Sequence, residues 1–479
     1  MERENFIPVA KRKKIMLLSD DMRMPSGIGT VSKEIVINTL HRYNWVQVGG
    51  AIKHPDEGKA IDMSQELKKM TGLDNYMRIY PVNGYGNSEL LRALIKKENP
   101  DAILHFTDPR FWLWLYQIEH EIRQQLPIFF YHVWDDLPFP HYNKPYYESC
   151  DWIGCISKQT YNIVRNVNEK MEDWQVSYIP HGIDSKIFKP ITINDPGQII
   201  ETKDNVLKNE YEQMLEFRGQ LLSDQDFDFV VLYNNRNIRR KSPGDVILAF
   251  KQFRDQLTKE QQEKTCLIMH TEVVDNNGTD LMAVAKAVAK ECTIIFSPQK
   301  FDTRHMNYLY NISDVTINMA SNEGFGLSTA ESIMACTPVV SNVTGGLQDQ
   351  LGFVDNKGVY LKCDKHYNSK WGSNHDGKYK THGEWALPVF PTNRSLVGSP
   401  PTPYIFDDRC SWKDAGQRLL EFYQMGKEER NRRGVKGREY MLNDEIGMSA
   451  KMMGDNFIQC MDTAMDKWEP KEKYQVYNV

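Results

Sequence analysis

Short apolar runs of strand length recur along the chain, and most are followed by a stretch of helical periodicity. Lys14–Ser19 opens the series, with a loop at Asp20–Gly29 and a helix predicted from about Thr30 to His41. Trp45–Gly49, Met77–Pro81, Ala102–Phe106, Pro127–Tyr131, Trp152–Ile156 and Val176–Ile179 read as further strands. Asn87–Lys97, Phe111–Gln125 and Lys158–Asn166 read as the helices between them. Strands alternating with crossover-length helices predict a parallel sheet covered on both faces. The pattern breaks at Lys189–Gln198, which holds two prolines and a glycine, and a charged helical stretch follows at Thr202–Leu222.

A second series starts at Phe229–Tyr233. Strands are predicted at Thr265–Thr271, Cys292–Ser297, Val315–Asn318, Pro338–Ser341 and Gly358–Leu361, with helices at Gly244–Leu257, Thr279–Lys290, His305–Asn311 and Ser328–Ala335. The expectation is an α/β protein of two doubly wound domains, 1–188 and 189–450, with a C-terminal helix at 451–479 returning to the first. No repeat with a period of 20–50 residues is visible. Residues 364–411 match neither half. They are rich in Gly, Pro, Ser, Asn and His and include Trp371 and Trp385, with Trp412 just beyond. Such a length of loop reads either as a packed excursion over an acceptor site or as a plain insertion.

Composition changes this picture little. At 479 residues, 41% hydrophobic and 26% charged, the chain is an ordinary globular sequence and long enough for two cores. No apolar run has membrane-spanning length. Basic Lys11–Lys14 runs directly into strand-like Ile15–Leu18, without the apolar region and cleavage site of a signal peptide, so a cytoplasmic protein without integral membrane association is expected. The eight cysteines form no C-x-x-C pair and read as reduced thiols. Formal net charge is −5, and the first 190 residues hold equal numbers of acidic and basic side chains. Bulk charge thus argues against non-specific phosphate binding while leaving a local basic patch open.

Candidate chemistry lies in three places. Ser19–Thr30 is a strand, a glycine-containing loop and a helix start, in which Gly27 and Gly29 could let the backbone approach an anion. The third glycine of a dinucleotide fingerprint is missing. Asn234–Lys241 follows the first strand of the second series and brings Arg236 and Lys241, cations suited to offsetting a leaving diphosphate. Asp314–Glu331 is a strand leading into Glu323-Gly324-Phe325-Gly326-Leu327 and a helix carrying Glu331, so two carboxylates stand eight residues apart around a glycine loop. Loop N–H groups there could hold a diphosphate, and a carboxylate could accept hydrogen bonds from vicinal sugar hydroxyls.

Gly182-Ile183-Asp184, Arg236 with Lys241, and above all Glu323-x7-Glu331 resemble the retaining glycosyltransferases of group 1 (family four). Val339-Val340-Ser341 and Gly345-Gly346 continue that likeness. The resemblance runs from about residue 14 to 353 and resumes in the terminal helices, leaving 364–411 unmatched. It implies the GT-B fold, two Rossmann-like domains facing across a cleft, and transfer of a sugar with retention from a UDP- or GDP-linked donor to a hydroxyl acceptor. By the same resemblance Arg236 and Lys241 contact the donor diphosphate, which Gly27 and Gly29 approach from the other domain. Glu323 binds the transferred sugar and Glu331 the ribose, while Gly324, Phe325, Gly326 and Leu327 line the donor path. His132 matches a histidine near the reacting sugar. Neither metal nor organic cofactor is expected, because no Asp-x-Asp motif stands at a matching position.

The acceptor is left open among a saccharide, a lipid-linked molecule and a small molecule. A looser likeness of Met16–Val31 and Ser395–Asp408 to phage-encoded members adds 5-hydroxymethylcytosine in DNA. For that acceptor Lys11–Lys14, Lys53, Lys59, Lys68, Lys69 and Arg110 could form a basic groove, with Phe111, Trp112 and Trp114 available to stack on a flipped base. A non-catalytic nucleotide-sugar binding protein is the alternative from another class, although it would be expected to have lost one of Arg236, Lys241, Glu323 or Glu331.

Overall fold

The computed structural model describes residues 6–192 and 209–473, so most of the Lys189–Gln198 break and the start of the charged stretch after it lie outside the described residues. The chain divides into two compact units. One comprises 1–182, 367–370 and 447–479, the other 183–366 and 371–446.

The first unit is built on an eight-stranded sheet: β1 (Lys13–Asp20), β2 (Tyr43–Ala51), β3 (Ile61–Asp62), β4 (Met77–Asn83), β5 (Ala102–Phe106), β6 (Ile128–His132), β7 (Trp152–Cys155) and β8 (Val176–Tyr178). Their order is β3-β4-β2-β1-β5-β6-β7-β8, parallel throughout except for the short β3 edge. Ile15–Leu18 and Ile103–Leu104 are fully buried, as continuous apolar strands covered on both faces must be. The first helix spans Gly27–Thr39 and so starts three residues before the predicted Thr30. Ser26 caps it, its Oγ accepting from Gly29 N at 3.0 Å, and this draws both glycines into the first turn. Phe111–Gln125 is not one helix but three short pieces, Pro109–Trp112, Leu113–Tyr116 and Glu119–Ile122. Its aromatic-rich start has weak helix propensity, which burial of Trp112 and Leu115 overrides locally.

The last helix, Ala450–Lys467, packs on Gly27–Thr39 within this unit. Arg42 and Tyr43 anchor it through Asp462, at 2.5 and 2.8 Å. Gly182, in the motif before Ile183, is required by this packing. A Cβ there would lie 2.5 Å from Ala450 Cα and 2.8 Å from Met453 Cβ.

The second unit holds a six-stranded, wholly parallel sheet: β9 (Phe229–Asn234), β10 (Thr265–His270), β11 (Ile294–Phe296), β12 (Val315–Asn318), β13 (Val339–Asn342) and β14 (Ala386–Val389), ordered β11-β10-β9-β12-β13-β14. The predicted strand at Gly358–Leu361 is not part of it. Asp355–Gly358 closes a turn, with Gly358 at φ +75, and only an isolated bridge joins Val354 to Tyr360. The edge strand comes instead from inside the unmatched stretch, where Pro388 is tolerated because an edge strand leaves one side unpaired.

The same stretch continues as an exposed antiparallel hairpin, β15 (Pro391–Ser399) and β16 (Thr402–Cys410). Trp371 and Trp385 are buried, and Trp385 donates to Gln350 O at 3.0 Å. A long helix follows, Trp412–Leu442, broken at Gly426. Among the described residues no helix is long and apolar enough to cross a membrane.

Candidate functional site

In the second unit the strand order reverses between β9 and β12. Loops leaving the C-terminal ends of those adjacent strands diverge to opposite faces and open a crevice, the usual ligand position in open α/β sheets. Those two loops are 235–241 and 319–326. Residues more than eighty positions apart in sequence thus meet at one edge, and Lys241 Nζ forms an ion pair with the Glu323 carboxylate. Their side chains are only 8% and 12% exposed, so each needs the other.

The backbone around the pair is tied from several sides. Ser321 N donates to Arg240 O at 2.7 Å, and the Arg240 guanidinium returns a bond to Asn322 O at 2.7 Å. Gly346 N donates to Glu323 O at 2.9 Å, and a Cβ on Gly346 would strike Gly324 O at 2.2 Å. That contact accounts for the second glycine of Gly345-Gly346. Gly326 sits at φ +91 as the entry to the helix Leu327–Met334. Gln350 Nε2 holds the carbonyls of Phe325 and Gly326 at 2.7 and 3.2 Å, and Phe325 itself is buried. Gly324, Phe325, Gly326 and Leu327 therefore form a rigid strap between the two carboxylates.

Glu331 lies on that helix. Tyr310 Oη donates to its Oε2 at 2.7 Å, and Asn234 Nδ2, at the end of β9, donates to Tyr310 Oη at 2.8 Å. Burial pushes the Glu331 carboxyl up to about 7, with the tyrosine bond opposing the shift. Arg236 is not drawn into this cluster. It is 62% exposed and its Nε lies 3.0 Å from Asp275 Oδ2.

The sequence-derived candidates in the first unit are placed differently. Gly27 and Gly29 occupy the first helical turn, and a Cβ on Gly29 would meet Met24 O at 2.6 Å and Asp21 O at 2.8 Å. Gly29 is thus already required by the loop's own packing. His132, at the end of β6, is fully buried. Its Nε2 lies 2.9 Å from Tyr147 Oη, and burial lowers its pKa to about 3, so the ring is neutral.

Of the aromatics offered for stacking, Trp112 is fully buried and serves the core, whereas Phe111 is half-exposed and stacks on Tyr85 with centroids 4.7 Å apart. Most of the candidate basic groove is engaged locally. Arg12 is buried on backbone carbonyls, Lys14 pairs with Glu98, Lys59 with Asp56, Lys68 with Asp74 and Arg110 with Asp108. Tyr310 and Arg240 complete the cluster around Glu331 and Glu323 without having carried any sequence signal of their own. Both lie outside the carboxylate spacing, and only strand order brings them to it.

Residues 215–365 match the family model described as Glycosyl transferases group 1. No curated protein sequence matches the chain. Among solved structures it is similar to Anabaena HepE in complex with UDP and glucose (TM-score 0.60, 10% identity, 94% of this chain and 100% of that one). It is also similar to sucrose-phosphate synthase from Thermosynechococcus elongatus (TM-score 0.62, 15% identity, 95% and 100%) and to a glycosyltransferase from Rickettsia africae (TM-score 0.60, 14% identity, 95% and 100%). The fold is GT-B, and with a group 1 domain around the Lys241–Glu323 pair the chain is a glycosyltransferase.

Proposed function

We propose that this glycosyltransferase moves a sugar, with retention, from a nucleotide-diphosphate sugar held by the second unit to a hydroxyl acceptor. The observation that carries the reading is the Lys241–Glu323 pair at the β9/β12 switch point, with Glu331 on the adjoining helix. HepE, similar in fold, has been captured with UDP and with UDP-glucose, which supports a donor of that kind.

On this reading Glu323 accepts hydrogen bonds from hydroxyls of the transferred sugar, and Glu331 does so from the ribose. The 324–327 strap approaches the diphosphate. Donor entry separates Lys241 from Glu323 and turns the ammonium to the departing phosphate oxygens. Arg236 swings from Asp275 to the same charge. As the anomeric C–O bond to the diphosphate breaks, the acceptor oxygen forms its bond on the same face and its proton passes to the diphosphate. The cations that offset the developing charge are side chains, so the proposal needs no metal or organic cofactor. His132, neutral and enclosed, is assigned to holding the end of β6 through Tyr147.

A second reading takes 5-hydroxymethylcytosine in DNA as the acceptor and follows from the half-exposed Phe111 stacked on Tyr85. The local pairing of Lys14, Lys59, Lys68 and Arg110 weighs against it and favours a saccharide, lipid-linked or small-molecule acceptor.

The test is release of nucleotide diphosphate from a panel of UDP- and GDP-sugars, with and without hydroxymethylated duplex DNA. One donor should be consumed by wild type and not by Glu323→Gln. Dependence on the modified DNA selects the second reading. Tight donor binding with neither transfer nor donor hydrolysis would make the chain a nucleotide-sugar binding protein and overturn the proposal.

A further inference from the structure

The hairpin β15–β16 is seated on the loop that carries Glu323. Asp408 N donates to Ser321 O at 3.1 Å, and Asn322 Nδ2 donates to Phe406 O at 2.7 Å, so β16 grips that loop through two consecutive residues. Asn342, at the end of β13, ties both partners together by donating to Ala320 O at 2.8 Å and to Asp408 O at 2.7 Å. The grip is stiffened from beneath. The Asp408 side chain is buried, accepts from Thr344 Oγ1 at 2.8 Å and pairs with Arg394 Nε of the facing strand at 2.6 Å. Arg394 lies over the Phe406 ring at 4.6 Å and donates to the His375 ring at 2.8 Å. Beyond this base the hairpin runs outward, with Leu396 and Val397 exposed.

A surface hairpin whose one job was solubility would not direct a buried ion pair and two loop-clamping bonds at the residue next to a substrate-binding carboxylate. From this geometry we infer that the hairpin at 391–410 is a brace for the donor loop and that Asp408 and Asn322 are positioning residues. They act through the Ser321–Glu323 backbone to set where the Glu323 carboxylate meets the transferred sugar. The inference rests on Glu323 being the sugar-binding group. Misplacement of a reacting geometry by about 1 Å costs on the order of 100-fold in rate, so loosening this loop should show in turnover before it shows in stability. The exposed tip takes no part in the brace.

Three variants of the full chain test it: Asn322→Ala, Asp408→Asn and a version with Gly398–Pro401 replaced by a two-residue turn. Hydrogen exchange at the amides of Ser321, Asp408 and Gly346 reads the brace directly and needs no ligand. Asn322→Ala and Asp408→Asn should speed exchange there by about 10-fold or more. Exchange in the helix Leu327–Met334 and the melting temperature should stay near wild type, and the tip variant should match wild type throughout. With the donor identified by the release assay, kcat should fall by about 10-fold or more in Asn322→Ala and Asp408→Asn while KM changes less than about 3-fold.

Unchanged exchange, or faster exchange with undiminished kcat, overturns the inference. So does a parallel loss of melting temperature, exchange protection and activity in Asn322→Ala, which would mark a purely structural contact. Glu323→Gln separates the two levels. If it transfers sugar as wild type does, the functional reading fails; if it is inactive while Asn322→Ala is unimpaired, only the brace fails.

Discussion

Tyr310 Oη lies 2.7 Å from Glu331 Oε2 while accepting from Asn234 Nδ2 at 2.8 Å, so one phenol joins the end of β9 to the carboxylate on the helix Leu327–Met334. Burial pushes the Glu331 carboxyl up to about 7, and the tyrosine bond holds it below where burial alone would put it.

Donor binding should therefore depend on pH with a definite sign. Raising the pKa favours the protonated form, and with Glu331 on the ribose, as proposed, only the carboxylate can accept from both ribose hydroxyls. Affinity for UDP-glucose, whose diphosphate does not titrate in this range, should rise as pH increases through about 7 and level off above it. Below 7 it should fall by up to about 10-fold per pH unit. Calorimetry between pH 5.5 and 8.5 checks this. Glu331→Gln should flatten the profile, and Tyr310→Phe should move its midpoint upward.

Breaking the Lys241–Glu323 pair from one side strands a poorly hydrated charge. Lys241→Ala should lower stability by about 3 kcal/mol, and the double change Lys241→Ala with Glu323→Gln should recover much of that loss. Urea unfolding of the four proteins reads the coupling. Turnover should behave differently, falling by about 100-fold or more in each single variant and not returning in the double one.

Arg236 offers the opposite combination. It is exposed and, among the described residues, pairs with Asp275, so Arg236→Ala should leave the melting temperature near wild type. If the guanidinium turns to the diphosphate during transfer, kcat should still fall by about 100-fold. Retention of wild-type kcat would remove Arg236 from the mechanism.

Gly182→Ala should loosen the C-terminal helix. The new methyl would meet Ala450 Cα at 2.5 Å, a clash that backbone must relieve, at a cost of about 1–3 kcal/mol. Faster proteolysis near residue 447, together with a lower urea midpoint, is the expected result.

How far each feature could be read in advance follows the range of the interaction behind it. The strands Ala102–Phe106 and Val315–Asn318 are found where their apolar runs end, because burial on both faces writes a local signature. Gly358–Leu361 has strand composition but closes a turn, and Ala386–Val389 takes the sheet edge from a stretch that reads as loop. Strand pairing is a long-range choice that composition does not encode. Trp112 lies in an aromatic stretch that offers itself for stacking, and its burial assigns it to the core.

By itself the sequence determined two α/β series, the carboxylate pair Glu323 and Glu331 around a glycine loop, and the cations Arg236 and Lys241 after another strand. Tertiary structure alone decided that β9 and β12 are neighbours. It thereby decided that Lys241 meets Glu323, that Tyr310 reaches Glu331 and that a hairpin from an unmatched stretch grips Asn322. Motif spacing is local chemistry carried along the chain, whereas the crevice exists only where the order of strands reverses.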